Sequence, residues 1–346
     1  MYINFMILEN KNRHVIIWLL LITFLVGLMI IVGGLTRLTD SGLSITKWDL
    51  VMGIFPPFTL SDWNNAFNLY KEIPEFKLIN QTMTLAEFKI IYWWEYAHRL
   101  LGRIIGLLYV IPLIYFTYKK IFSGRILFSL YFIFFLICLQ GFVGWYMVQS
   151  GLVDRTDVSH YRLSLHLTLA FIIFIYLFWN FLLYYDQKLY SGKKLPFYLP
   201  LIFFFLIILQ ISIGAFVSGL DAGQIYQTWP LMNQNFFPDD SSINDLLSIK
   251  VFETPSLLQF LHRNLAYLIF FIFIIIFYII ISNKNYSHLK NISIYIFIFL
   301  LIQIFLGILT ILSGANIAYA SIHQCGSIFL SLSSVVLVYK NFKTVS

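Results

Sequence analysis

What most constrains this chain is a series of eight apolar runs, near residues 15–32, 92–117, 126–149, 159–184, 197–219, 256–281, 291–313 and 317–339. A helix that crosses the hydrocarbon needs about 20 mostly apolar residues, and each run is close to that length. With 60% hydrophobic and only 11% charged residues in 346, an ordinary soluble domain is excluded. The first run follows Lys11 and Arg13 and resembles a signal peptide. It is too long for such a segment, and no small-x-small cleavage site follows, so it reads as a retained helix. The expected fold is an all-α polytopic membrane protein of eight transmembrane helices.

A net charge of +7 would suggest a nucleic-acid partner in a soluble chain, but the placement of the charges argues for a bilayer and against nucleic acid. If the N-terminus is cytoplasmic, that side receives Lys11, Arg13, Lys119, Lys120, Arg125, Lys188, Lys193, Lys194, Lys284, Lys290, Lys340 and Lys343, against Glu9 and Asp186. This satisfies the positive-inside rule and predicts a multi-pass membrane protein with both termini cytoplasmic. Two long connections, about 36–91 and 220–255, then lie on the outer side, where polar backbone can cover a site. The two cysteines, Cys138 and Cys325, fall inside apolar runs and form neither a disulfide framework nor a zinc pattern.

The chain repeats itself. Asp40-Ser41-Gly42, Trp48 and Pro57 recur as Asp221-Ala222-Gly223, Trp229 and Pro238 at one offset of 181 residues. His98-Arg99 recurs as His262-Arg263, His166 as His323, and Gln140, Gly144, Ser150 and Gly151 as Gln303, Gly307, Ser313 and Gly314. The expected organisation is an N-terminal four-helix half (1–185), a cytoplasmic linker (186–196) and a C-terminal four-helix half (197–346), each a pseudo-symmetric copy of the other.

His98, His166, His262 and His323 carry the chemistry. They fall near the outer ends of the second, fourth, sixth and eighth helices, and in an up-down-up-down bundle the second and fourth helices sit diagonally across the core. Two imidazoles facing each other at matching depth suit the two axial positions of a haem iron. A lone membrane histidine is more often an interhelical hydrogen bond, but four at repeated positions argue against that reading. Arg99 and Arg263 lie close enough to the surface to pair with haem propionates, with snorkelling to lipid headgroups as the bland alternative. The copies differ at one chemically active position: Glu95 sits three residues before His98, whereas Gln259 occupies that place before His262. A carboxylate can accept protons or stabilise positive charge, and an amide can do neither. His14, His160 and His288 have no repeated counterpart and receive no role.

The run from Gly33 through Thr36-Arg37-Leu38-Thr39-Asp40-Ser41-Gly42-Leu43-Ser44 with Trp48, then Glu95-Tyr96-Ala97-His98-Arg99, His166, Gly219-Leu220-Asp221-Ala222-Gly223, Trp229-Pro230, Leu261-His262-Arg263 and His323-Gln324, resembles the haem A synthase family over nearly the whole chain. The resemblance implies oxidation of the C8 methyl of haem O to a formyl group, by way of an alcohol, to supply haem A to terminal oxidases. It implies a haem b cofactor on His262 and His323, with Arg263 nearby. It also implies substrate haem O on His98 and His166, with Arg99 nearby and Glu95 as the essential carboxylate. The implied partners are haem O synthase (protohaem farnesyltransferase) and an unidentified electron acceptor, and homo-oligomerisation stays open. Some bacterial members carry a cysteine pair in the first outer loop; this chain has none between Ile31 and Lys89, and so is similar to the proteobacterial and mitochondrial branch. Two rivals use the same histidines without needing Glu95: a di-haem b-type cytochrome that only passes electrons, and a haem chaperone or transporter. No nucleotide-binding fingerprint accompanies them.

Overall fold

The computed structural model describes residues 13–47, 52–153, 155–186 and 188–345. Among them are eight helices long and apolar enough to cross a membrane. In chain order the helices are α1 (Arg13–Leu38), α2 (Leu60–Tyr70), α3 (Pro74–Leu78), α4 (Leu85–Tyr118), α5 (Gly124–Gln149), α6 (His160–Tyr185), α7 (Tyr198–Gly219), α8 (Ile243–Leu246), α9 (Pro255–Ser282), α10 (Ser287–Leu312) and α11 (Ile317–Phe342). The short ones are α2, α3 and α8; the other eight match the apolar runs. Trp48, Lys11 and Glu9 lie outside the described residues.

Packing follows the same order twice. Helices α1, α4, α5 and α6 form a closed ring of neighbours in which α4 and α6 are diagonal, and α7, α9, α10 and α11 form a second ring in which α9 and α11 are diagonal. Contacts of α6 with α7 and α11, and of α1 with α11, join the rings. One apolar core runs through all of them, with Leu19, Tyr109, Leu113, Ile133 and Phe171 in the first ring and Phe203, Phe273, Ile276, Ile296 and Leu337 in the second. At the junction, α11 comes so near α1 that a Cβ on Gly34 would overlap the Gln324 amide, which donates to the Ile30 carbonyl at 2.8 Å. The absence of a side chain permits that approach.

The two long connections lie at one end of the bundle, the loop face, and the 186–197 segment lies at the other, the linker face. On the linker face a two-residue strand, β1 (Tyr190–Ser191), pairs in parallel with β2 (Thr344–Val345), and Asn341 exchanges hydrogen bonds with the Leu195 backbone at 2.8 and 3.2 Å. On the loop face the first connection folds into α2 and α3 over the extended start of α4. Thr59 with Asp62 and Thr84 with Glu87 form capping boxes that start α2 and α4, and Pro74 opens α3. Trp63, Phe67 and Tyr70 of α2 pack with Phe88, Tyr92 and Tyr96 of α4 into a second apolar cluster with Leu43, Ile73 and Val148. The loop face of the first ring is therefore roofed by an aromatic core.

The repeat in sequence is a repeat in backbone. Asp40 and Asp221 both adopt the left-handed conformation, with φ of 47° and 49°, just past the ends of α1 and α7. Aspartate tolerates that region better than most side chains. Arg37 bridges the two turns, donating to Asp40 at 2.8 Å, Asp221 at 3.0 Å and the Ser218 carbonyl at 2.9 Å.

Candidate functional site

Each of the four histidines meets a glycine on the long helix that precedes its own. A Cβ on Gly33 would stand 3.1 Å from His98 Nε2; on Gly144, 2.9 Å from His166 Cε1; on Gly214, 3.1 Å from His262 Cε1; and on Gly307, 3.1 Å from His323 Cε1. The imidazoles thus lie against bare backbone, and any side chain there would push the ring aside. Four residues before three of these glycines stands a glutamine whose Nε2 donates to the histidine's own carbonyl: Gln140 to His166 at 3.0 Å, Gln210 to His262 at 3.0 Å and Gln303 to His323 at 2.7 Å. The repeat of Gln140 and Gly144 at Gln303 and Gly307 is visible in the sequence, but its partnership with the histidines is visible only in the fold.

His98 and His166 face each other across the first ring, with ring centroids 6.5 Å apart and planes at 62°. Two imidazoles on one metal ion, with metal–nitrogen bonds of about 2 Å, have centroids roughly 6 Å apart. His262 and His323 stand on α9 and α11, the diagonal helices of the second ring. Buried polar atoms without a partner also collect here: Gln140 Oε1, Gln210 Oε1, Gln303 Oε1, His262 Nδ1 and His323 Nδ1. Native structures leave few such atoms unsatisfied, so their gathering around paired histidines marks a place for a further group. Among the described residues no three His, Cys, Asp or Glu side chains converge, so the histidines offer paired axial positions rather than a cage for a bare ion. The donor set, the glycine cradles and the orphaned atoms fit haem in both rings.

Glu95 is 2% exposed and lies under the first connection. Its Oε2 accepts from the Ser44 hydroxyl and the Ile45 amide, both at 2.7 Å, and its Oε1 accepts from Arg99 Nη2 at 2.6 Å. Arg99 also donates to the Ile45 carbonyl at 2.9 Å and the Lys47 carbonyl at 3.4 Å. In the second ring Arg263 donates to the carbonyls of Tyr226 at 2.9 Å and Leu231 at 3.3 Å, and Gln259 Nε2 donates to Tyr226 at 3.1 Å. Ile45 and Tyr226 stand at the same offset of 181 as Asp40 and Asp221. The two arginines therefore pin equivalent loops. The Glu95/Gln259 difference is matched by a reversal of polarity: Glu95 takes the amide of Ile45, whereas Gln259 gives to the carbonyl of Tyr226.

The sequence places the arginines where they can reach haem propionates; in the structure both donate to loop carbonyls, and Arg99 also to Glu95. Arg263 Nε remains buried without a partner. Other polar groups on the loop face lie outside the sequence reading. Glu75 of α3 is buried with Oε2 unpaired. Burial first, and then the negative charges of Asp157, Asp40 and Glu95, push its carboxyl up to about 8. Tyr96 OH, one residue from Glu95, donates to the Ile54 carbonyl at 2.6 Å. His160, given no role from sequence, is buried at the start of α6 with its Nε2 3.5 Å from Glu253. Cys325 is half-buried and Cys138 exposed.

Comparison with known proteins agrees with this arrangement. Residues 16–335 match the family model described as cytochrome oxidase assembly protein. The protein named Heme A synthase of Pelagibacter ubique (strain HTCC1062) is 50% identical over 337 residues, covering 96% of this chain and 98% of the relative. That of Rickettsia bellii (strain OSU 85-389) is 45% identical over 330 residues, covering 94% and 97%. That of Rickettsia felis (strain ATCC VR-1525 / URRWXCal2) is 42% identical over 331 residues, covering 94% and 97%. With paired histidines in each helix ring and likeness over nearly its full length, this chain belongs to the haem A synthase family.

Proposed function

We propose that this chain oxidises the C8 methyl of haem O to a formyl group, by way of the alcohol, yielding haem A for a terminal oxidase. The observation that carries this reading is a chemical break in a repeated frame. Both rings hold a histidine pair against glycine and pin a loop with arginine, but only the first places a buried carboxylate, Glu95, one turn from a histidine. The first ring is then the substrate half, where His98 and His166 would hold haem O. The second is the cofactor half, with His262 and His323 holding haem b.

Haem iron supplies the oxidising centre when bound. The chain's own residues do the rest. The glycines let an edge of each imidazole come close to the neighbouring helix, and Gln140, Gln210 and Gln303 fix three of the four histidine carbonyls. Glu95 is oriented by three donors, and its Oε2 shares a hydrogen bond with the Ser44 hydroxyl, a group that both donates and accepts and can pass a proton toward the loop face. Loops pinned by Arg99 and Arg263 roof the sites. A di-haem electron carrier would need the histidines but not this carboxylate.

The positive-inside pattern supports a bacterial inner membrane with the loop face outside and both termini cytoplasmic. Haem O synthase is the expected source of substrate; turning the methyl group into a formyl group takes one oxygen atom from water and releases four protons and four electrons, and an electron acceptor must take those electrons. The test is expression in a host that makes haem O but no haem A, with extracted haems separated by chromatography. Haem A should appear; its absence, with the protein present and loaded with haem, would favour the electron carrier.

A further inference from the structure

Three of the four histidines are clamped alike, and one is not. Gln140, Gln210 and Gln303 each stand one turn from the glycine that meets the next histidine, and each donates to that histidine's carbonyl. In α1 the glycine is Gly33, and the residue one turn before it is Met29, which cannot donate a hydrogen bond. Among the described residues no side chain donates to the His98 carbonyl. Methionine fills the space instead: its Cε would lie 3.1 Å from a Cβ on Gly102, one turn beyond His98. The counterpart of Gly102 in the second ring is Ala266. His98 also presents a different edge to its glycine. Its Nε2 faces Gly33, whereas His166, His262 and His323 turn Cε1 to theirs.

Resting on the haem reading above, we propose that His98 is the releasable axial ligand of the substrate iron, and that Met29, in the position of the missing glutamine, is the residue that leaves it free. A resident cofactor is best held from both sides, and the second ring has two clamps. A haem that arrives as substrate and departs as product needs a ligand set that can let go, and the first ring has one clamp, on His166. Met29 is a positioning residue: it acts through the His98 helix segment and ring.

The test reads ligand exchange, which a purely structural role would not move in this pattern. The purified full-length protein, reduced with dithionite, is titrated with carbon monoxide before and after haem O is added, so that the added haem reports the first ring. In the wild type the added haem should bind carbon monoxide readily and the resident haem should not. Met29→Gln should weaken binding at the added haem by roughly tenfold, the order of effect expected of one hydrogen bond gained. Gln210→Met, the reciprocal change, should make the resident haem reactive to carbon monoxide, and it carries the test if Met29→Gln does not fold. Equal reactivity of both haems in the wild type, or no change in either variant, would overturn the proposal. A wild-type protein that takes up no haem O, measured as haem content before any gas is added, would overturn the underlying haem reading as well, and that outcome is distinct from unchanged exchange in a loaded protein.

Discussion

Replacing Glu95 with glutamine makes the first ring chemically like the second, and the structure says what that should cost. The carboxylate accepts three hydrogen bonds, from Ser44, Ile45 and Arg99, at 2.6 to 2.7 Å. Glutamine keeps one acceptor oxygen. If that oxygen stays on Ser44 and Ile45, the new amide nitrogen faces the Arg99 guanidinium, donor against donor. If it turns to Arg99, the Ile45 amide is left unpaired. Removing one partner of a buried ion pair costs about 3–5 kcal/mol. Arg99 keeps its bonds to the Ile45 and Lys47 carbonyls, so about 2–3 kcal/mol is the better figure here, felt mainly in the 41–47 segment. Haem A production should fall by roughly 10²-fold or more, as when a general base is removed. Loop loosening and loss of the carboxylate are separated by Ser44→Ala, which deletes one hydrogen bond, worth about 1–2 kcal/mol, and leaves the charge in place. Chromatography of extracted haems gives turnover, and hydrogen exchange over 41–47 gives loosening. Glu95→Gln should accumulate haem O, whereas Ser44→Ala should loosen the loop and still make haem A. Wild-type haem A from Glu95→Gln, or an equal loss from Ser44→Ala, would refute a chemical role for the carboxylate.

Three further outcomes are expected. Gly144→Ala puts a methyl 2.9 Å from His166 Cε1 and should weaken haem O uptake about tenfold or more by spectroscopic titration, with the resident haem unchanged. Glu75 gives a pH signature: its folded pKa of about 8 lies above the unfolded value near 4.5, so the folded state holds a proton that the unfolded state has lost, and stability falls as pH rises through that interval. Glu75→Gln should remove that slope, worth up to about 4 kcal/mol between pH 5 and 8, in melting curves of the detergent-solubilised protein. Tags at the C-terminus and in 186–196 should be cytoplasmic, and tags near Asp62 and Asp240 should be on the outer face; a single reversed loop would remove the shared side of the four histidines.

The eight membrane helices were legible because lipid demands long apolar runs, and their ends differ from the runs where hydropathy stops being the cause of helicity. Helix α4 begins at Leu85 rather than near residue 92, because the Thr84/Glu87 capping box and the packing of Phe88 and Tyr92 under α2 extend it beyond the apolar stretch. Helices α2 and α3 went unread for the same reason: their cause is an aromatic cluster assembled from three segments, which no local period reveals. The histidine pairs were legible from the repeat, whose offset is 181 at the Asp40 and Asp221 turns, 164 at His98 and His262 and 157 at His166 and His323. The bonds of Glu95 and Arg99 were not, because they run to Ser44, Ile45 and Lys47, some fifty residues away in a polar connection. Nor was the meaning of Met29: a methionine in an apolar helix is unremarked until three glutamines are found doing the same task at equivalent positions.

The central claim, that two histidine pairs divide the work between a resident haem and a substrate haem, is tested most directly by electron paramagnetic resonance of the ferric protein purified from cells that make no haem O. The account predicts a low-spin signal from haem b that is lost in His262→Ala and in His323→Ala and kept in His98→Ala and in His166→Ala. A low-spin signal that survives in both second-ring variants, or that disappears with the first-ring histidines alone, would contradict it.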